Sequence, residues 1–323
     1  MNKYYKQQTS VTDPSRWSTY FDELPNDIMS LIGILDNQIA HYKVDILDKG
    51  ISLPPERSHE VDSRYAKNML RAIVTHCDDS LLTSKLRAQR LFGTCRDGGV
   101  LLCSILRHKG IACRLRYGFT HFGMDTTKPL LDHIFVQYWC DVTSRWKTCD
   151  PRLSEEKMHR FNIRGCDPTD LADEQFYTAG QAWLKVNHDI KAARAFSGLR
   201  LDGAIGLCLI RNLMMQDASS LLGREPLMWD AWGYALRERF GQAPSEPFEL
   251  SQLDKLAKLC TSYDIDIQAL ERFVYEDVNL RLPQLIRCSS PLNGDYLYAP
   301  NNRCIDEIIA GIPEEGRCHY AIA

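Results

Sequence analysis

The stretch Phe92-Gly93-Thr94-Cys95-Arg96-Asp97-Gly98-Gly99-Val100-Leu101-Leu102-Cys103-Ser104-Ile105-Leu106-Arg107-His108-Lys109-Gly110, continuing as Ile111-Ala112-Cys113-Arg114-Leu115-Arg116-Tyr117-Gly118-Phe119, decides the fold class. Gly93-Thr94 form a turn that enters a compact helical run, Val100 to His108, and Gly110 supplies a natural C-terminal stop. From Ile111 the period drops to two. Ile111, Cys113, Leu115, Tyr117 and Phe119 face one way and Arg114 and Arg116 the other, which predicts a half-buried strand. A polar loop, Thr120 to Pro129, leads to a second strand from about Asp132 to Cys140. Asp141 to Ser144 then turn into a third, Arg145 to Cys149, stopped by Pro151.

On either side of this block the chain reads as helix. Pro25-Asn26-Asp27 is a helix start, with Ile28, Leu31, Ile32, Leu35 and Ile39 on one face. After a proline-containing link at Leu53 to Glu56, Asp62 opens a second periodic segment carrying Tyr65, Met69 and Ile73. Downstream, Asp189 to Phe196, Leu207 to Leu222, Leu253 to Cys260 and Tyr263 to Tyr275 carry apolar residues at roughly helical spacing. From Pro291 onward turn residues dominate, predicting an irregular cap or a mobile end. The expected architecture is α+β, a small antiparallel sheet with one helix packed across it and helical extensions at both ends. The expected organisation is residues 1–85 as the N-terminal helical segment, 86–155 as the core and 156–323 as a mainly helical C-terminal part and tail, together one compact unit.

The 323 residues suffice for a substantial core without staples. Lys plus Arg number 39 and Asp plus Glu 42, a net charge of -3 without long like-charge runs. That balance argues against a nucleic-acid partner. Met1 to Ser10 is polar and lacks a signal-peptide run, and the longest uncharged apolar stretch, Gly98 to Leu106, is far short of the ~20 residues of a membrane span. The expectation is a cytoplasmic protein without a membrane partner. Twelve cysteines (77, 95, 103, 113, 140, 149, 166, 208, 260, 288, 304 and 318) never show the CxxC spacing favoured by zinc, so neither metal nor other cofactor is expected. Most of these thiols are read as small core residues or surface thiols.

Cys95 is the exception. It lies where a glycine-containing turn enters a helix, so backbone N–H groups and the helix dipole favour a thiolate and can hold a developing oxyanion. His133 opens the second predicted strand and Asp150 closes the third, and adjacent antiparallel strands can bring such residues side by side. A neutral imidazole next to Cys95 would take the thiol proton, and Asp150 would fix the ring's tautomer and stabilise the imidazolium. His108, at the helix end, and His121, in the loop between strands, are the competing histidines. Asp132, Asp97 and Asp167 are the competing acids; Asp167 reads as a turn residue and Asp97 as a backbone partner at the helix start.

Gly93-Thr94-Cys95-Arg96-Asp97, Leu106 to Arg114 and Tyr117-Gly118-Phe119 resemble the first block of the transglutaminase-like core. Asp132-His133-Ile134-Phe135-Val136 and Trp146-Lys147-Thr148-Cys149-Asp150-Pro151 resemble the second and third. Outside the core, Val11-Thr12-Asp13-Pro14, Phe21 to Pro25, Ala179 to Trp183 and Trp229 to Gly233 are similar to stand-alone bacterial transglutaminase-like proteins of about this length. The resemblance makes residues 86–155 the catalytic core and implies a papain-like fold with a Cys-His-Asp triad at Cys95, His133 and Asp150. It also points to Gln89 as a candidate second oxyanion donor, because papain-like enzymes place a glutamine upstream of the cysteine.

A thiol triad forms a thioester with an acyl donor (a peptide, a protein or a small acyl thioester), and the attacking group sets the outcome. An amine acceptor gives an amide and water gives hydrolysis. The preferred expectation is a transglutaminase-like acyltransferase. A cysteine peptidase, amidase or deamidase is the alternative, and a non-catalytic binding scaffold stands as the third reading. Trp183, Trp229 and Trp232 are candidates for lining an acyl or amine pocket, with core packing the expectation for at least two of them.

Overall fold

The computed structural model describes residues 2–76, 80–121, 127, 129–199, 205–237 and 246–300. In chain order the first half comprises α1 (Asn2–Tyr5), α2 (Ile28–Gln38), β1 (Ile39–His41), α3 (Ala66–His76), β2 (Leu91–Gly93), α4 (Cys95–His108), β3 (Cys113–His121), β4 (Leu130–Cys140) and β5 (Arg145–Cys149). The second half comprises α5 (Glu155–Arg160), β6 (Phe176–Thr178), α6 (Ala179–Val186), α7 (Ile190–Ala193), β7 (Phe196–Ser197), α8 (Gly206–Leu221), β8 (Asp230–Ala231), α9 (Tyr234–Arg237), α10 (Pro247–Thr261), α11 (Ile267–Glu276), β9 (Ile286–Ser290) and β10 (Gly294–Tyr298). The class is α+β. The main sheet has the order β5-β4-β3-β6, antiparallel throughout, and β7 adds to β4 in parallel.

Helix α4 begins earlier than its apolar run because Asp97 Oδ2 accepts the Thr94 N–H at 2.8 Å, fixing the first turn. The backbone role expected of Asp97 is the one it plays. Gly98 and Gly99 would weaken an isolated helix, yet a Cβ on Gly99 would lie 2.3 Å from Leu115 Cδ1 and 3.1 Å from Ile134 Cγ2. The glycines therefore let α4 sit directly on the sheet. One apolar cluster runs from Tyr5 to Leu280, with α4, β3, β4, α6, α8 and α10 at its centre.

The structure corrects the half-buried strand. Arg114 and Arg116 are both 2% exposed. The face they occupy is covered by the N-terminus and the C-terminal helices: Arg114 lies over the Trp146 ring at 4.3 Å, and Arg116 pairs with Asp217 of α8 at 2.8 Å. Asp217 Oδ1 also accepts the Tyr117 N–H at 2.9 Å, and the Ser220 hydroxyl donates to the Leu115 carbonyl at 2.8 Å. Side chains of α8 thus satisfy the part of the β3 edge that β6 does not reach.

Three further expectations change. Ile39 does not close the first helix; it starts β1, which pairs in parallel with β2. In the stretch from Asp189 to Phe196 only α7 is helical, a single turn capped by Asp189, and Phe196 joins the sheet beside Leu130. The segment after Pro291 is not irregular as far as residue 300. Gly294, at φ +74°, completes a turn and β10 pairs with β9. Residues 301–323 lie outside the described residues, as do most of the polar loop after His121 and Cys77, Cys304 and Cys318. The other nine cysteines are free thiols. Among the described residues no helix is long and apolar enough to cross a membrane.

Candidate active site

Cys95 is the first residue of α4, so its N–H has no acceptor within the helix. Its thiol is buried, with Sγ 3.6 Å from the thioether of Met228. The next residue, Arg96, is wholly buried and holds this helix start in place. Its guanidinium donates to the carbonyls of Ser63 (3.0 Å), Arg64 (2.8 Å), Glu225 (2.7 Å) and Pro226 (3.2 Å), and pairs with Asp97 at 3.2 Å. Two distant chain segments are thereby clasped to the turn that presents the thiol. The second of them leads into Met228 and Trp229, which line the space beside Cys95.

His133 stands on β4 opposite Gly118 of β3. Gly118 is required by the approach of β6, since a Cβ there would lie 2.0 Å from the Tyr177 carbonyl oxygen. The β4–β5 register pairs Val136 with Cys149. Continued by one residue it sets Asp150 opposite Phe135, on the face that carries His133. His133 Nε2 lies 3.0 Å from Asp150 Oδ2, and the ring packs edge-on to Phe135 at 4.9 Å. The other Asp150 oxygen, Oδ1, accepts the Arg152 N–H at 2.8 Å, while the Asp150 N–H donates to the Pro168 carbonyl at 2.9 Å.

Burial alone would lower the pKa of His133. The Asp150 charge beside the ring, with a smaller part from Cys95, outweighs burial and pushes the pKa up to about 10. Burial would raise the Asp150 carboxyl, but the His133 charge holds it below the usual carboxylate range. The direction of the shift favours the imidazolium, the form the ring takes once it has accepted a thiol proton.

Cys95, His133 and Asp150 line one cavity of about 160 Å³. Its wall is largely apolar, with Val44, Leu131, Leu153, Phe161, Ile163 and Trp229. Behind Asp150 lies a buried charge cluster in which Arg152 meets Asp36 at 3.3 Å and Asp45 at 3.4 Å, and Lys157 pairs with Asp36. Burial would raise Asp45, yet Lys157 and Arg152 bring it down to about 2. Arg152 also donates to the Ile39 carbonyl at 3.2 Å, tying β1 to the loop that carries the acid.

The competing residues fall elsewhere or take other roles. His108 pairs with Asp22 at 2.8 Å on the surface. Asp167 accepts from the Thr169 N–H and hydroxyl in a local turn. Asp132 lines the cavity, and its Oδ1 accepts the Leu199 N–H at 2.6 Å. His121 is not in the loop; it is the last residue of β3 and lines the cavity. Gln89 is a correction. Its Oε1 accepts the Leu86 N–H at 3.0 Å in a 3-10 turn, and it is not among the residues lining the cavity. Trp183 and Trp232 pack in the core, while Trp229 lines the cavity with its indole N–H on Asp62 at 2.8 Å.

Sequence reasoning missed three contributors. Met228 lies outside every stretch of the resemblance, Arg96 lies inside one that assigns it no role, and His41 reaches the site through a parallel pairing that hydrophobic period does not reveal. Comparison with family models, with curated proteins and with solved structures finds no match for the chain.

Proposed function

We propose that the protein is a thiol acyltransferase of transglutaminase-like type and papain-like fold, in which Cys95 carries the acyl group, His133 moves the proton and Asp150 holds the imidazole. The observation that carries this reading is the His133 ring, 3.0 Å from Asp150 and lining one cavity with a thiol at a helix start. The Cys95 thiolate attacks the donor carbonyl, forming a C–S bond and an oxyanion. Collapse breaks the bond to the leaving group, which takes the His133 proton. An amine then attacks the thioester, His133 accepts the amine's proton, and Cys95 leaves as thiolate. Asp150, buried and anionic, steadies the imidazolium at both stages.

The apolar wall favours an acyl group that is itself apolar and short. A dry cavity of about 150 Å³ is large enough for benzene, so a short aliphatic or single-ring acyl chain fits the space beside Cys95. An apolar wall beside the thioester is the feature that would favour transfer over hydrolysis, by limiting water there.

The test is intact-mass analysis after incubation with thioesters of short aliphatic and aromatic acids. One acyl adduct should form on Cys95 and none on Cys95→Ala. A primary amine should then discharge it as amide, in a ratio to free acid that rises with amine concentration. Adduct on another cysteine, or none from any donor, would remove the assignment. Free acid alone at high amine would make the protein a hydrolase with the same three residues.

A further inference from the structure

We propose that His41 is the second oxyanion donor, its Nε2–H acting together with the Cys95 N–H on the carbonyl oxygen of the bound acyl group; this rests on the thioester reading above. In the parallel β1–β2 pair His41 stands opposite Gly93, two positions before Cys95. The pair is close to the helix start. A Cβ on Gly93 would lie 3.2 Å from Ile39 Cγ2 and 2.9 Å from Asp97 Oδ2, so only glycine fits there without displacement. The His41 ring lines the cavity that Cys95 and His133 line.

The surrounding backbone decides the tautomer. His41 Nδ1 accepts the N–H groups of Lys43 at 3.2 Å and Val44 at 3.3 Å, at the start of the turn Tyr42–Ile46. An Nδ1 that accepts two N–H groups carries no proton, so in the neutral ring the hydrogen sits on Nε2. No hydrogen bond joins Nε2 to another described residue. The ring is also held in place. It stacks on Tyr42 at 5.4 Å, and the His41 N–H donates to Asp45 Oδ2 at 2.9 Å.

Charge keeps the donor neutral. Burial and the Arg152 charge, with Lys157 and His133 adding to them, outweigh Asp45 and bring His41 down to about 3. Two histidines in one cavity are thus driven apart: His133 is the proton carrier, and His41 donates a hydrogen bond without competing for the proton. A donor fixed before the oxyanion forms costs no reorganisation when charge appears on the oxygen.

His41→Asn separates the two ring nitrogens, because the amide oxygen can still accept from Lys43 and Val44 while the donor at the Nε2 position is lost. Two rates on Cys95 would be measured: acylation by p-nitrophenyl butyrate, followed as the nitrophenolate burst, and alkylation by iodoacetamide. Acylation builds an oxyanion on the carbonyl; alkylation displaces iodide at a CH2 group and does not. The expected result is acylation about 100-fold slower with alkylation unchanged, and recovery toward wild type in His41→Gln, whose NH2 reaches the Nε2 position. Equal acylation in wild type and His41→Asn would overturn the role of His41 and leave the thioester reading intact. Parallel loss of both rates would overturn it too, by making His41 a support of the thiol. A wild-type protein that alkylates but is not acylated would sink the thioester reading itself, and the role of His41 with it. Should His41→Asn not fold, nitrogen-15 NMR of the wild-type ring decides: a neutral Nε2–H tautomer at pH 6 supports the assignment, and a protonated or Nδ1–H ring overturns it.

Discussion

Asp150→Asn keeps the shape of a buried side chain and removes one charge, so its effects follow from the electrostatics of one pair. The rise of His133 from 6.5 to about 10 corresponds to roughly 5 kcal/mol of preference for the charged ring, most of it owed to Asp150 and part to Cys95. Without that charge burial dominates, and His133 should titrate well below 10. Activity should fall by about two to four orders of magnitude. The stability consequence has a definite sign. A histidine raised in the folded state contributes stability that is complete below its unfolded pKa, about 6.5, and is lost as pH rises through about 10. The lowered Asp150 contributes above its unfolded pKa of about 3.9 and loses its share as pH falls through its folded value. The gap in unfolding free energy between wild type and Asp150→Asn should therefore be widest from about pH 4 to 6.5 and should close toward pH 10. Urea melts at half-unit pH steps measure the gap, and carbon-detected NMR of the His133 ring measures the titration. A gap that is flat from pH 5 to 10, or a wild-type His133 that titrates near 6.5, would refute the ion pair as the organising feature of the site.

Two further outcomes can be checked by simpler means. Arg96→Ala strands four buried carbonyls and Asp97, and should cost about 3–5 kcal/mol of stability in urea melts; a loss under 1 kcal/mol would show that the guanidinium does not hold the helix start. Gly118→Ala puts a methyl group into the Tyr177 backbone and should cost about 1–3 kcal/mol, with faster amide exchange at Phe119 and Tyr177; unchanged exchange would mean that the β3–β6 pairing yields without loss.

How much of this could be read in advance depends on how local each cause is. The helix at Ile28–Gln38 was legible because Asp27 caps it and its apolar spacing is helical, both within a few residues. The strand Arg145–Cys149 was legible from the turn before it and the proline after it. Cys95, His133 and Asp150 were singled out from short blocks, and the structure brings the three to one cavity. The burial of Arg114 and Arg116 was not legible, because alternation of charged and apolar residues describes a solvated face equally well until Asp217 arrives from α8. Gln89 was chosen by analogy of position and does not line the cavity, whereas His41 does, placed by a parallel pairing of β1 with β2 across the intervening helix α3. Hydrophobic period says nothing about such pairings.

The clasp of Arg96 has a consequence during synthesis. Its carbonyl partners at Ser63 and Arg64 leave the ribosome before Cys95, but those at Glu225 and Pro226 emerge long after it. A nascent chain holding the whole of α4 and the sheet strands β3 to β5 still lacks half of the carbonyl acceptors that fix the turn before Cys95, along with the Met228 and Trp229 side of the cavity. The surroundings of Cys95 are therefore complete only when chain from both sides of the core has closed over it.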